Sequence, residues 1–215
     1  QHPEMGLIAP DDFIAIAEET GLIVEIGLWV LEVACSQLIE WNKSTGLALR
    51  MAINVSLKQL EKEGFVECVK AVLDRTGIPA ELVELEVTES IFLEEGSVTL
   101  QILIQLHQLG VQISMDDFGT GYSSLLQMIK APFNELKIDQ YFIRQMLEQH
   151  ECMSVVSMSL MLARELNMTS MAEGVENESI YKALATLGCD CAQGYWIAKP
   201  MPFEQLLEWE YQWRI

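Results

Sequence analysis

The sequence predicts an α/β fold organised around a parallel sheet, and three observations predict it. Short apolar runs of strand length recur along the chain, stretches of helical period separate them, and each run closes on polar residues. Strand followed by helix, repeated about six times, is the pattern of parallel strands joined by helical crossovers. No low-complexity or Pro/Gly/Ser-rich stretch interrupts it, so residues 1–215 read as a single domain. A doubly wound open sheet and a closed (β/α) barrel both satisfy the pattern. A barrel needs eight strands over roughly 250 residues; a barrel made from this chain would lack about its first two strands.

Taken in order, the first helix signal follows Pro10, where Asp11 or Asp12 is placed to cap an N-terminus. The next helix carries Ile26, Val30, Val33, Ala34, Leu38 and Trp41 on one stripe. Leu49–Asn54 is the first strand run and Leu82–Glu86 the second. A helical stripe of Val98, Ile102, Leu106 and Leu109 then leads to the third run, Val111–Asp116. Asn134–Ile138, Asn167–Glu173 and Cys189–Gln193 complete the set, and Asn177 caps the helix between the last two. Met153, Met158, Met161, Met168 and Met171 read as core filler, the usual use of a flexible thioether.

Composition narrows the function. Thirteen Lys+Arg stand against 32 Asp+Glu, a formal charge of −19. That excludes adhesion to a nucleic acid polymer or an anionic membrane through a broad basic surface. No run of about 18 uncharged apolar residues occurs, so no membrane span is expected in this chain, although the parent protein can be anchored elsewhere. Five scattered cysteines suggest reduced thiols and a cytoplasmic setting. Cys189-x-Cys191 lacks the second pair or histidine that would complete a metal site, and reads as two small buried residues. Gln1-His2-Pro3-Glu4 is neither an initiator methionine nor a signal peptide, and reads as the cut end of something longer.

In parallel α/β folds chemistry collects at the carboxyl ends of the strands. Here those ends are Asn54, Glu86, Asp116–Asp117, Lys137, Glu173 and Gln193. Any one of them alone suits a helix cap or a solvated loop; six in succession do not. Asn, Glu and Asp supply the hard oxygen ligands of Mg²⁺ or Mn²⁺, and Lys137 is a cation for a phosphate or a metal-bound water. Asp116 and Asp117 are neighbours, so they converge only if the strand ends between them, a bend that Gly119 and Gly121 would permit. Two such carboxylates resist ionising together unless cations lie between them, which a paired divalent site with one bridging aspartate would supply. Glu84 shares strand parity with Glu86 and also points inward. The Asp-Phe-Gly triplet lacks the other kinase motifs, Ser123 and Ser124 have no histidine partner nearby, and the three histidines lie away from the strand ends.

The motifs themselves form a recognisable series. Asp116–Ser124 resembles the DDFGTGYSS loop of the EAL-domain family, the bacterial cyclic di-GMP phosphodiesterases. Asn54-Val55-Ser56, Glu86-Val87-Thr88-Glu89, Lys137-Ile138-Asp139, Glu173-Gly174-Val175-Glu176 and Gln193-Gly194-Tyr195 are similar to the family's NxS, ExTE, KID, EGVE and QGY segments, in order and across essentially the whole chain. The resemblance implies a modified TIM-type (β/α)₈ barrel with one antiparallel strand near its start. It implies metal-dependent hydrolysis of cyclic di-GMP to the linear dinucleotide. Asn54, Glu86 and Asp116 would hold the first metal, with Asp116 bridging to a second held by Asp117. Lys137 and Glu173 would position or deprotonate the attacking water, Gln193 would support the substrate, and Glu89 would brace the Asp116–Ser124 loop. The family's Glu-Ala-Leu motif and its arginine lie just upstream of His-Pro-Glu and so fall outside this chain, which is expected to be weak or inactive by itself. Partners implied are cyclic di-GMP, a second copy of the chain, and upstream sensory or diguanylate-cyclase-like domains. The alternatives are a catalytically inactive cyclic di-GMP receptor or interaction module of the same family and, further off, an unrelated (β/α) enzyme acting on a phosphorylated metabolite.

Overall fold

Each of the six apolar runs forms a strand. In a computed structural model, which describes residues 2–4, 6–89, 98–121, 125–202, 204–206 and 208–209, the strands are β1 (Met51–Asn54), β2 (Val83–Thr88), β3 (Gln112–Phe118), β4 (Glu135–Ile138), β5 (Thr169–Ala172) and β6 (Cys191–Ala192). They make one sheet in the order β1-β2-β3-β4-β5-β6, and every pairing is parallel. A doubly wound sheet reverses its strand order at a switch point; this sheet never does. The fold is therefore α/β and singly wound, six consecutive strands of a (β/α) barrel.

The helices run α1 (Pro10–Thr20), α2 (Ile23–Thr45), α3 (Leu57–Leu60), α4 (Phe65–Thr76), α5 (Val98–Gln108), α6 (Leu125–Lys130), α7 (Gln140–Gln145), α8 (His150–Glu165) and α9 (Glu178–Leu187). Asn177 caps α9, accepting from the N–H of Ile180 at 2.9 Å. The expected cap at Asp11 or Asp12 is corrected: α1 begins at Pro10, with Ala9 in the cap position and no side-chain bond. Proline suits the first helical position because its missing N–H would have had no intrahelical partner. Among the described residues no single helix is long and apolar enough to cross a membrane.

Strand alternation divides the sheet into two unlike faces. Val83, Leu85, Val87, Ile113, Met115, Leu136 and Ile138 are fully buried against helix residues such as Leu103, Leu106, Val156 and Ala163. Burying such side chains contributes roughly 1.5–3 kcal/mol each, so this outer face holds the fold. The opposite face of the middle strands carries Glu84, Glu86, Ser114, Glu135 and Lys137, also buried, where TIM-type barrels ordinarily place branched aliphatics.

Other expectations are revised. The buried line of α2 is Leu31, Cys35 and Leu38, while Val30 and Val33 of the expected stripe are exposed. This helix is apolar on nearly every side, so its packing against β1 and α4 decides which face is covered. Met158 and Met161 are exposed rather than core; with Phe118 and Leu125 they line an open apolar groove of about 400 Å³. Cys191 is exposed and Cys189 partly so, because β6 has β5 as its one strand neighbour among the described residues. All five thiols are free.

Candidate active site

The register of the sheet brings the strand-end residues together. Asn54 pairs with Glu86 across β1 and β2, placing both on the inner face. Immediately after Asn54 the chain is fastened twice: the N–H of Val55 donates to the carbonyl of Glu86 at 2.9 Å, and Ser56 and Gln59 form a reciprocal capping box. Asn54 itself is exposed on the edge strand.

Lys137 is the hub. Its Nζ lies 2.7 Å from Oε1 of Glu86, 2.7 Å from Oε1 of Glu173 and 3.2 Å from Oδ1 of Asp116. Its side chain is 4% exposed. Burial works against the ammonium, but the carboxylates of Glu86 and Glu173 outweigh it and hold the lysine above its ordinary value. Burial raises Glu86 and Glu173 above the usual carboxylate range, with Lys137 opposing the rise in each.

Asp117 turns toward this cluster by a route that differs from expectation. Strand β3 does not stop between the aspartates but runs on to Phe118, with its register slipping between Met115 and Phe118. Asp117 itself adopts a left-handed backbone, φ 56°, a conformation that aspartate tolerates better than most residues. The kink puts both carboxylates on one side. Burial, then the charge of Asp116 and that of Asp139, raises Asp117. Just beyond, Gly119 sits at φ +100°, and a side chain there would meet the ring of Phe142 at 2.8 Å.

Glu89 accepts from the N–H groups of Gly119 and Gly121, at 3.1 and 3.0 Å through Oε2, and so ties the end of β2 to the loop after β3. Tyr122, Ser123 and Ser124 of that loop lie outside the described residues. Gln193 is held through its backbone, N–H to Ala172 at 2.8 Å and carbonyl to the N–H of Val175 at 3.0 Å. The neighbouring Gly194 comes so close that a Cβ there would stand 2.2 Å from the main chain of Val175.

Asp116, Asp117 and Glu173 can each turn an oxygen into a shared space, with the three ligand atoms within 4.8 Å of one another. Three hard oxygen donors so close together suit a divalent cation such as Mg²⁺ or Mn²⁺. Glu86 lies outside that trio and turns to Lys137.

Sequence reasoning passed over several residues that share this site. Asp139 is buried, its charge helps to raise Asp117, and its Oδ1 caps α7; the KID segment contained it. Glu135 lies one layer deeper, raised to about 7 by burial and then by the charge of Glu84, which Arg50 approaches at 3.5 Å. Gln140, Arg144, Glu176 and Tyr195 join Glu173 and Gln193 around a cavity of about 200 Å³ at the mouth of the sheet.

Comparison with known proteins follows the same lines. The family model described as the EAL domain matches residues 1–200. The chain is 44% identical over 207 residues to the bifunctional diguanylate cyclase/cyclic di-GMP phosphodiesterase MucR of Pseudomonas aeruginosa, covering 96% of this chain and 30% of that protein. It is 39% identical over 209 residues to the cyclic di-GMP phosphodiesterase PdeR of Escherichia coli, covering 97% and 32%. The chain thus spans about a third of the length of these relatives. Among solved structures it superposes on the PaMucR phosphodiesterase in complex with c-di-GMP with a TM-score of 0.91, at 44% identity, covering 95% of this chain and 83% of that one.

Proposed function

The chain belongs to the EAL-domain family, and from that premise we propose that it hydrolyses cyclic di-GMP to the linear dinucleotide with water activated at a divalent-metal site. The observation that carries the proposal is the convergence of Asp116, Asp117 and Glu173 beside the Lys137 ammonium. Relatives at about 40% identity bear the same activity in their names. Asn54, Glu86 and Asp116 would hold one Mg²⁺ or Mn²⁺, and Asp116 with Asp117 a second. When bound, such a pair lowers the pKa of a coordinated water and offsets charge on the attacking and leaving oxygens.

The chain's own residues do the rest. Glu173, lifted above the usual carboxylate range by burial, takes the proton of the attacking water at its carboxylate, a better base for being raised. Lys137 holds Glu173 and Glu86 in place and keeps a positive charge beside the phosphorus. The water oxygen bonds to phosphorus, the bridging P–O bond breaks, and the proton held by Glu173 passes, directly or through solvent, to the departing ribose oxygen. Gln193, beside Glu173 in the cavity, orients the dinucleotide, and Glu89 keeps the aspartate loop in register.

Chromatography of cyclic di-GMP incubated with Mg²⁺ or Mn²⁺ and the full product of the gene tests this. Linear dinucleotide, absent from the Asp116→Asn variant, is the expected result. Binding without turnover would make the protein a receptor, and neither binding nor turnover would overturn both readings.

A further inference from the structure

Strand β1 is held from one side: β2 is its one strand neighbour among the described residues, and its last residue, Asn54, is exposed. A neutral carboxamide brings no net charge to a cation, so its worth as a ligand depends on where its oxygen stands. What fixes the chain just after Asn54 is the side chain of Gln59, only 3% exposed. Its Oε1 accepts from the N–H and from the hydroxyl of Ser56, each at 3.1 Å. That hydroxyl in turn accepts from the N–H of Gln59 at 3.3 Å. A backbone N–H can only donate, so the amide must face Ser56 with its oxygen. The reach of Gln59 depends on α2. Gly27 lies inside that helix, where glycine is unfavourable relative to alanine, and a Cβ there would press on the Gln59 amide, 2.8 Å from Oε1. On the other flank, the ammonium of Lys58 donates to the carbonyl of Glu18 near the end of α1.

Resting on the reading of Asn54 as a metal ligand, we propose that Gln59 is the positioning residue for Asn54 and that Gly27 is the slot that lets it act. The strand ladder fixes Asn54 from the Glu86 side. Gln59 fixes it from the other, because Ser56 lies two residues on and cannot shift without breaking the three hydrogen bonds it shares with Gln59. Helix α3 is a single turn of four residues, too short to reward a cap for its own sake. What the box stabilises is the turn out of β1, and so the place of Asn54. A small hard cation tolerates little error in the placement of its oxygen ligands. Groups that orient a ligand are accordingly worth about 10- to 100-fold in metal affinity. A mid-helix glycine against a buried amide has no use in a helix that only packs; it has one if the amide must reach Ser56.

Calorimetric titration of Mn²⁺ into the full product of the gene, at a temperature well below each variant's thermal midpoint, tests this. Asn54→Ala and Gln59→Ala should each weaken Mn²⁺ binding by about 10- to 100-fold. The double variant should bind no more weakly than Asn54→Ala alone, since Gln59 acts through Asn54. Gln59→Glu keeps acceptor oxygens facing Ser56 and should keep most of the affinity. Gly27→Ala should weaken Mn²⁺ binding while Gln59 is present. In the Gln59→Ala protein the same change should leave the affinity alone and raise the thermal midpoint, because alanine favours the helix once the amide is gone. A Gln59→Ala protein with undiminished Mn²⁺ affinity and a lowered midpoint would make the box purely structural and overturn the inference. Should that variant fail to fold, Gly27→Ala without effect on Mn²⁺ does the same. A double-variant loss equal to the two single losses combined would also overturn it. Undiminished affinity in Asn54→Ala would overturn the ligand reading of Asn54 and the inference with it, whereas turnover of cyclic di-GMP by the unaltered protein decides the phosphodiesterase reading separately.

Discussion

The ammonium of Lys137 stands 2.7 Å from the carboxylate of Glu173, and it makes the same approach to Glu86 from the other side. A cation carried on β4 thus bridges the carboxyl ends of β2 and β5 across a buried space. One ammonium against three contacting carboxylates leaves the cluster net negative, and its predicted behaviours follow from that.

Replacing Lys137 with Met strands three carboxylates. Removing one partner of a buried ion pair costs about 3–5 kcal/mol, so urea denaturation of the metal-free Lys137→Met protein should show a loss of that order. Saturating Mg²⁺ should restore part of it, and turnover of cyclic di-GMP should fall by about 100-fold or more. A loss below about 1 kcal/mol would mean that the carboxylates take up protons in place of the lysine.

Asp116 reaches both Lys137 and the donor trio. Asp116→Asn should therefore weaken Mn²⁺ binding by at least about 10- to 100-fold, measured by titration calorimetry, while far-ultraviolet circular dichroism stays unchanged. Undiminished Mn²⁺ affinity would remove Asp116 from the metal site.

Glu89 accepts two backbone N–H groups from the loop after β3. Hydrogen bonds to a charged acceptor contribute about 1.5–3 kcal/mol each, so Glu89→Ala should release Gly119 and Gly121. Their amide hydrogens should exchange faster by about tenfold or more. Glu89→Gln keeps one acceptor oxygen and should fall between.

Glu135 has a direction of its own. Its carboxyl is raised from the ordinary 4.5 to about 7, so between those values the folded protein holds a proton that the unfolded chain has released. The stability this contributes is complete below about 4.5 and is lost as the pH climbs through 7. Glu135→Gln, permanently neutral, should flatten the fall in unfolding free energy across that window. An identical slope in both proteins would show that Glu135 titrates normally.

What could be read from the chain depended on which force decides each feature. The six strands are legible because an apolar run closing on a polar residue has one good reading; Leu82–Glu86 differs from the observed Val83–Thr88 only at its ends. The inward line of Glu84 and Glu86 follows from period two alone. Where tertiary packing decides, the pattern is silent. Helix α2 is too evenly apolar to say that Leu31 and Cys35 would be covered and Val33 exposed. The left-handed turn at Asp117 leaves no composition signal beyond an aspartate that tolerates it. Arg144 and Glu176 stand 32 positions apart, and only the seating of α7 beside the end of β5 brings them together.

Sequential strand order also sets a timetable. Every strand neighbours the one made before it, so each unit of a chain emerging from the ribosome can dock on an edge already formed, with no need to await a distant partner. The carboxylates of Glu86 and Asp116 arrive with β2 and β3, and Lys137 arrives next, before Glu173 follows β5. Glu173, the last carboxylate of the cluster, arrives only once the cation is in place.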